Sequence, residues 1–297
     1  MTDGAQSGDG SITISYSQTD DPEPPTDNPA VTGTLGNNGW YTSDVTVDWN
    51  WTDSGLGVDA SNCMQSSGSS GEGASVPVSS SCHDLAGNSA SDSMTFAIDK
   101  SAPTLTCDSP AKVMPIGISG AALVASVEDS ISGPLASSVS APADTSSVGV
   151  KTASLNGEDV AGNSTTAGCP YTVAYGFDGF ASPSPGSTLP RSRPFIGAMF
   201  ALTDATGNRM TPATAAALAA AGKVEATLTG PGINPQTAQC AWNKNGKNFV
   251  CPMNTPAGLR TGTGNAYTIT AKEDLGGGFV RAPAVGPDAN PETVHFK

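Results

Sequence analysis

The sequence is short of most of what chemistry needs. Only two histidines, His83 and His295, occur in 297 residues, and charged residues make up 13% of the chain, about half the ~25% usual in globular proteins. There is no CxxC, no Dx[DN]x[DN]G loop and no GxSxG turn. These absences remove the common zinc spacings, the EF-hand and the serine nucleophile elbow from consideration. Basic residues number 13 against 27 acidic ones, a net charge of −14, and no run of Lys or Arg is present. A phosphate backbone would be repelled, which excludes nucleic acid as a partner. No apolar run approaches the ~20 residues of a membrane span, so membrane insertion within this chain is not expected. The opening MTDGAQSGDG has neither a basic n-region nor an apolar h-region. The expectation is a fragment, a mature segment with an added Met, or a virion protein. Large aliphatics are scarce as well: Leu, Ile, Val and Phe form about a sixth of the chain, under the ~20% level at which high net charge points to disorder.

What is present argues for order. TDSGLGV at 52–58 is echoed by EDSISGPL at 128–135, and DLAGN at 84–88 by DVAGN at 159–163. The two motifs recur in the same order, about 75 residues apart, which marks a tandem pair of similar small domains. The junction falls near DKSAPTLTC, 99–107. We therefore divide the chain into residues 1–28 (a flexible segment or a remnant strand, SITISYS), 29–101, 102–174 and 175–297.

Alternation supplies the secondary structure. Val45, Val47, Trp49 and Trp51 are interleaved with Asp44, Thr46, Asp48 and Asn50, the pattern of a strand with one buried face. Trp49 and Trp51 should point inward. Trp40 and Tyr41 lie outside the alternation, in a Gly-led turn, where half-exposed rings would offer a ligand surface. Strands are expected at 75–84, 91–99, 122–129, 148–159, 169–175, 195–204, 223–230, 265–274 and 293–297. The span 236–253 reads as a hairpin about Asn245-Gly246. One helix is expected in TPATAAALAAAG, with Thr211 as N-cap, Pro212 at its first position and Gly222 at its C-terminal cap. Many short strands joined by Gly, Asn and Pro turns predict an all-β chain of tandem sandwiches with one short helix in the C-terminal domain.

The six cysteines fall in local pairs, Cys63/Cys82, Cys107/Cys169 and Cys240/Cys251, one to each segment. Spacing alone permits fifteen full pairings. The expected set is 63–82, 107–169 and 240–251, because each pair lies within one domain and the last flanks a hairpin turn. An even count of paired thiols suits an oxidising destination.

Of the chemistries weighed, a calcium site is the best candidate. Asp53 and Asp59 of one repeat, or Glu128 and Asp129 of the other, offer hard oxygen ligands at a loop. The competing reading is an ordinary Asx-turn. DLAGN and DVAGN read as turns too, with Asp accepting backbone hydrogen bonds and Gly-Asn supplying positive φ. His83 and His295 read as surface or strand-edge residues, and no catalytic residue or cofactor is expected.

The phrases GWYTSDVTV, DSGLGV, DLAGN and IDKSAPTLTC resemble the immunoglobulin-like repeats of bacterial surface and secreted proteins. The closing segment, with CAWNKNGKNFVCPMNTPAGLRTGTGNAYTITAKED and NPETVHFK, is similar to the PxKD domain found downstream of such repeats. The resemblance implies tandem immunoglobulin-like sandwiches in an extracellular or cell-surface array, or on a phage particle, acting as a non-catalytic spacer joined to neighbouring domains of a longer surface protein. The alternatives are an adhesin-type module gripping a glycan or protein, and the accessory region of a secreted hydrolase.

Overall fold

The computed structural model describes residues 21–109, 111–276, 278–285 and 290–297; the strand expected in SITISYS lies outside them. The chain is all-β with one helix, and it divides into two compact units. The first holds the described residues up to Ala102 together with Asp129–Gly133 and Asp159–Asn163. The second holds Pro103–Glu128, Pro134–Glu158 and Ser164–Lys297.

In the first unit the strands are β1 (Ala30–Thr32), β2 (Trp40–Tyr41), β3 (Thr46–Asp48), β4 (Val58–Cys63), β5 (Ser66–Gly68), β6 (Gly73–Asp84) and β7 (Ser89–Ile98). They form two sheets, β1-β3-β5 and β2-β7-β6-β4. Val45, Val47, Trp49 and Trp51 are buried, and Thr46, Asp48 and Asn50 between them are exposed. The alternation outruns the β3 ladder, which ends at Asp48, ahead of Asn50 at φ +54°. Burying an indole requires a partner for its N–H; Trp49 donates to Ser67 Oγ (2.7 Å) and Trp51 to Ser80 Oγ (2.9 Å). Val76, Val78, Cys82, Phe96 and Ile98 complete this core.

Two expectations change here. Trp40 and Tyr41 are not in a turn: they form β2, parallel to β7, with Trp40 opposite Ala97 and Tyr41 opposite Ile98. The turn comes earlier, at Asn38 and Gly39, both at positive φ. Residues 21–28, expected as linker, are tied to the sandwich. Thr26 pairs antiparallel with Thr52, and the Asn28 N–H donates to the Trp49 carbonyl (2.9 Å). Apolar side chains are scarce in this stretch, so it is held through its backbone, which a composition argument does not register.

The second unit begins with β8 (Thr104–Cys107), β9 (Val113–Pro115), β10 (Ala122–Glu128), β11 (Ser138–Pro142), β12 (Gly149–Glu158) and β13 (Ser164–Ala174). These form the sheets β11-β10-β8 and β12-β13-β9 around a core of Met114, Leu123, Ala125, Leu155, Tyr171 and Val173. Its remaining strands are β14 (Gly176–Ser182), β15 (Thr188–Leu189), β16 (Phe195–Thr203), β17 (Val224–Thr229), β18 (Gln236–Gln239), β19 (Ala241–Asn243), β20 (Asn248–Asn254), β21 (Tyr267–Asp274), β22 (Phe279–Arg281) and β23 (Glu292–Phe296). They make one sheet β14-β16-β20-β19 and another β15-β23-β21-β17-β18, with β22 on β21. A third core lies between them, rich in Phe177, Phe200, Phe249 and Phe296. An early short strand pairs parallel with a later long one three times: β2 with β7, β9 with β13, and β15 with β23.

Helix α1 (Pro212–Ala220) begins and ends as its caps predict, with Thr211 accepting from the Thr214 N–H and Gly222 at φ +65°. The span 236–253 is not a single hairpin. β18 pairs with β17 in one sheet, and the hairpin proper is β19 with β20 in the other. Its loop has four residues, since Asn243 faces Asn248, and the left-handed residue is Lys247 (φ +50°) in place of the Asn-Gly pair. Cys240 sits where the chain changes sheets.

Candidate metal centre

Three aspartates meet at each of two places in the first unit. Asp21, Asp53 and Asp84 form one triad and Asp99, Asp129 and Asp159 the other, each with carboxylate oxygens within 4.8 Å of one another. The members are 30 to 32 residues apart in sequence.

The local chain explains how each carboxylate is held. Asp53 opens a tight turn in which its Oδ2 accepts from the Gly55 and Gly57 N–H groups (2.9 Å each). Asp129 does the same at the same offsets, its Oδ1 accepting from Ile131 (3.0 Å) and Gly133 (2.8 Å). Gly57 and Gly133 close these turns at φ +90° and +86°, a region that favours glycine. The third residue after each of these aspartates donates to the first member of its triad: Leu56 N–H to Asp21 Oδ2 (2.8 Å), Ser132 N–H to Asp99 Oδ2 (3.0 Å).

The last members open DLAGN and DVAGN. Asp84 accepts the Asn88 N–H (2.8 Å) and side-chain amide (2.7 Å). Asp159 accepts the Asn163 N–H and side-chain amide (2.9 Å each). The same amide then reaches the carbonyl of the first aspartate: Asn88 to Asp21 O (2.6 Å), Asn163 to Asp99 O (3.0 Å). The two networks share these bonds. Asp84, Asp99 and Asp159 are buried. Burial works to raise the pKa of Asp84, but the Asn88 amide and the main-chain N–H groups of Asn88, Gly87 and Ala86 outweigh it and hold the carboxyl below its ordinary value. One oxygen of the first triad, Asp53 Oδ1, is shut off from solvent and has no hydrogen-bond donor. Among the described residues no Lys or Arg forms an ion pair with either triad. Two like charges at ~4 Å repel by about 4 kcal/mol at an effective dielectric of 20.

Of the sequence candidates, Asp53 and Asp129 are in the triads and Asp59 and Glu128 are not. The Asp59 carboxylate accepts from the Ser61 hydroxyl and N–H and from Asn62, which lower its pKa. Glu128 is exposed at the end of β10, opposite Thr104, because strand alternation turns it away from the loop that Asp129 enters. The sequence reading does not bring Asp21, Asp84, Asp99 and Asp159 into a candidate site. A signal existed: Asp21 precedes Asp53 by 32 residues, one more than the Asp53-to-Asp84 offset, and stepping the Asp129-to-Asp159 offset backwards from Asp129 lands on Asp99. The turn recurs a third time, as DATGN at 204–208. Asp204 accepts from Thr206 and Asn208, which hold its pKa down to about 2. Among the described residues it has no carboxylate partners, so the turn and the triad are separable devices.

The disulfides are Cys63–Cys82 across β4 and β6, Cys107–Cys169 from β8 to β13, and Cys240–Cys251 at the sheet change. The second joins the two sheets of its sandwich. Tyr41 packs its ring edge-on against Phe96 (5.6 Å) at the rim of the core, and Trp40 is half-buried. His83 is exposed on β6, and His295 Nδ1 lies 3.2 Å from the Asn265 carbonyl.

No protein-family model and no curated protein matches the chain. Among solved structures it is similar to a bacterial ice-binding adhesin of 1.5 MDa studied for host-cell-surface retention, at 13% identity over 93% of this chain and 99% of that one, TM-score 0.24. It is also similar to a tetra-tandem repeat from the extending region of a large adhesion protein (15% identity, 91% and 73%, TM-score 0.22). A third is a Ca2+-stabilised ice-binding adhesin of an Antarctic bacterium (12% identity, 91% and 74%, TM-score 0.22). At scores this low, none of them carries a function over to this chain.

Proposed function

We propose that the chain is a non-catalytic extracellular spacer of immunoglobulin-like sandwiches, in which each aspartate triad holds a calcium ion. The observation that carries this reading is the matched wiring of the two triads. Each gathers three carboxylates from segments far apart in sequence, fixes them through main-chain N–H groups, and supplies only hard oxygen donors, the set that calcium prefers. A nitrogen or sulfur ligand, as zinc would favour, is in neither triad. An ion at Asp99, Asp129 and Asp159 would tie the loops 129–133 and 159–163 to the end of β7, which suits a chain that must resist extension. Six cysteines paired within their own sandwiches support an oxidising, extracellular setting.

The test is calcium titration of the full chain by calorimetry, with thermal melts in calcium and in EDTA. Two ions should bind. Saturation at 100 times Kd contributes about 2.7 kcal/mol per site, which for domains of this size raises Tm by roughly 10–20 °C. Asp53→Asn and Asp129→Asn should each abolish one site and lower the calcium-loaded Tm. If the triads are only acidic turns, these variants relieve repulsion and leave Tm unchanged or higher; that result, or no binding at ~5 mM calcium, a concentration above the range of weak extracellular sites, refutes the reading.

A further inference from the structure

The charge of this chain is unevenly placed. Residues 175–297 hold ten of the 13 lysines and arginines but seven of the 27 acidic residues, a net charge of +3 against −17 for residues 1–174. Within this cationic part, a cavity of about 250 Å³ opens beside the β19–β20 hairpin. Its wall is apolar, built from Leu202, Met210, Pro212 and Trp242, and Arg209 and Lys247 border it. Trp242 is half-buried, with one side packed on Phe249 at 5.2 Å. Neither cation is in an ion pair among the described residues. Arg209 is steadied by a hydrogen bond from Nη1 to the Lys247 carbonyl (3.3 Å), which leaves its other N–H groups for a ligand. A second concavity shares Arg209 and is lined by Asp178 and Asn248. Asn248 Oδ1 is shut off from solvent and has no donor.

We propose that this cavity binds a uronic-acid unit of an acidic polysaccharide. Three features of the site ask for three features in one ligand. The Trp242 face matches the C–H face of a sugar ring. The Arg209 guanidinium and the Lys247 ammonium match a carboxylate, for which the Arg fork is well shaped. Asp178, exposed in the adjoining concavity that shares Arg209, matches a hydroxyl donor. A neutral sugar lacks the anion, and an aryl carboxylate lacks the donors. The cavity is smaller than the ~300–1,000 Å³ of sites for drug-sized ligands and admits one ring. The proposal is independent of the calcium reading.

The experiment is calorimetric titration of the full chain with a galacturonic-acid trisaccharide, a neutral glucose trisaccharide, 3-phenylpropionate and a hydrophobic tripeptide with a free C-terminal carboxylate. The uronate should bind at least tenfold more tightly than the other three, and more weakly as salt rises. Arg209 and Lys247 are exposed, so Arg209→Gln and Lys247→Asn preserve the fold; Asn also suits the left-handed backbone at 247. Each should weaken uronate binding at least fivefold without moving Tm, as should Trp242→Phe, which keeps the contact with Phe249. A chain carrying both Asp53→Asn and Asp129→Asn should bind the uronate as before, separating this site from the triads. Absence of uronate binding at ~10 mM, equal or tighter binding of any comparison ligand, or indifference to the Arg209 and Lys247 changes overturns the proposal.

Discussion

Glu273 offers a stability prediction whose size follows from its surroundings. It lies on β21 between Val224 of β17 and Val280 of β22, fully buried, and neither side-chain oxygen has a hydrogen-bond partner. Burial raises its pKa from 4.5 to about 8, with only the Tyr175 main-chain N–H acting the other way. The native chain therefore keeps a proton that the unfolded chain releases above pH ~4.5. Because the folded state binds more protons, stability falls as pH rises. At ~1.4 kcal/mol per pH interval of one, the full loss is about 5 kcal/mol, complete above pH ~8, and about 3 kcal/mol is already lost at pH 7. Glu273→Gln keeps the shape and removes the titration. The variant should exceed the natural chain by less than about 1 kcal/mol at pH 5, about 3 kcal/mol at pH 7 and 4–5 kcal/mol at pH 9. Trp242 is the one tryptophan of residues 175–297. Urea titrations read from its 19F resonance in 5-fluorotryptophan-labelled protein therefore follow this region separately from Trp40, Trp49 and Trp51. Parallel pH profiles for the two proteins would refute the reasoning, because they would mean that Glu273 ionises with equal ease in both states.

Two further predictions concern the cores. Trp49→Ala removes the largest fully buried side chain and its bond to Ser67, and should cost about 3–5 kcal/mol. Asp48→Ala, next to it on the solvent face, should cost within ~0.5 kcal/mol; similar costs in chemical denaturation would contradict the packing. Removing Cys107–Cys169, which closes 62 residues, should cost about 4 kcal/mol in the chain-entropy model, against about 3 for the 11-residue Cys240–Cys251 loop. Calorimetry of the paired alanine variants checks the order, and a larger loss for the shorter loop would speak against it.

The features legible in the residue order are local and periodic. Period-two alternation assigned Trp49 and Trp51 to the inside, since a strand has only two faces. Thr211, Pro212 and Gly222 marked the helix, since capping is settled within one turn. The cysteines fell into local pairs because each sandwich is a short stretch of chain. Groups whose meeting is not encoded in neighbouring residues come together only in the fold. Asp21 and Asp99 look like ordinary acidic residues near prolines, and they become triad members because the turn amides of Leu56 and Ser132 capture them. Asp59 has the right chemistry and satisfies itself with Ser61 and Asn62. Glu273 occupies a β-strand position that alternation assigns inward, but its isolation from any partner depends on what packs over it. Cys240 marks a change of sheet that the Asn245-Gly246 signal conceals, because a turn motif reports on its own few residues and not on which strand lies beyond them. The cavity at Trp242 depends on Arg209 and Lys247, 38 residues apart, being brought to one rim; such a meeting costs chain entropy that only the packed core offsets.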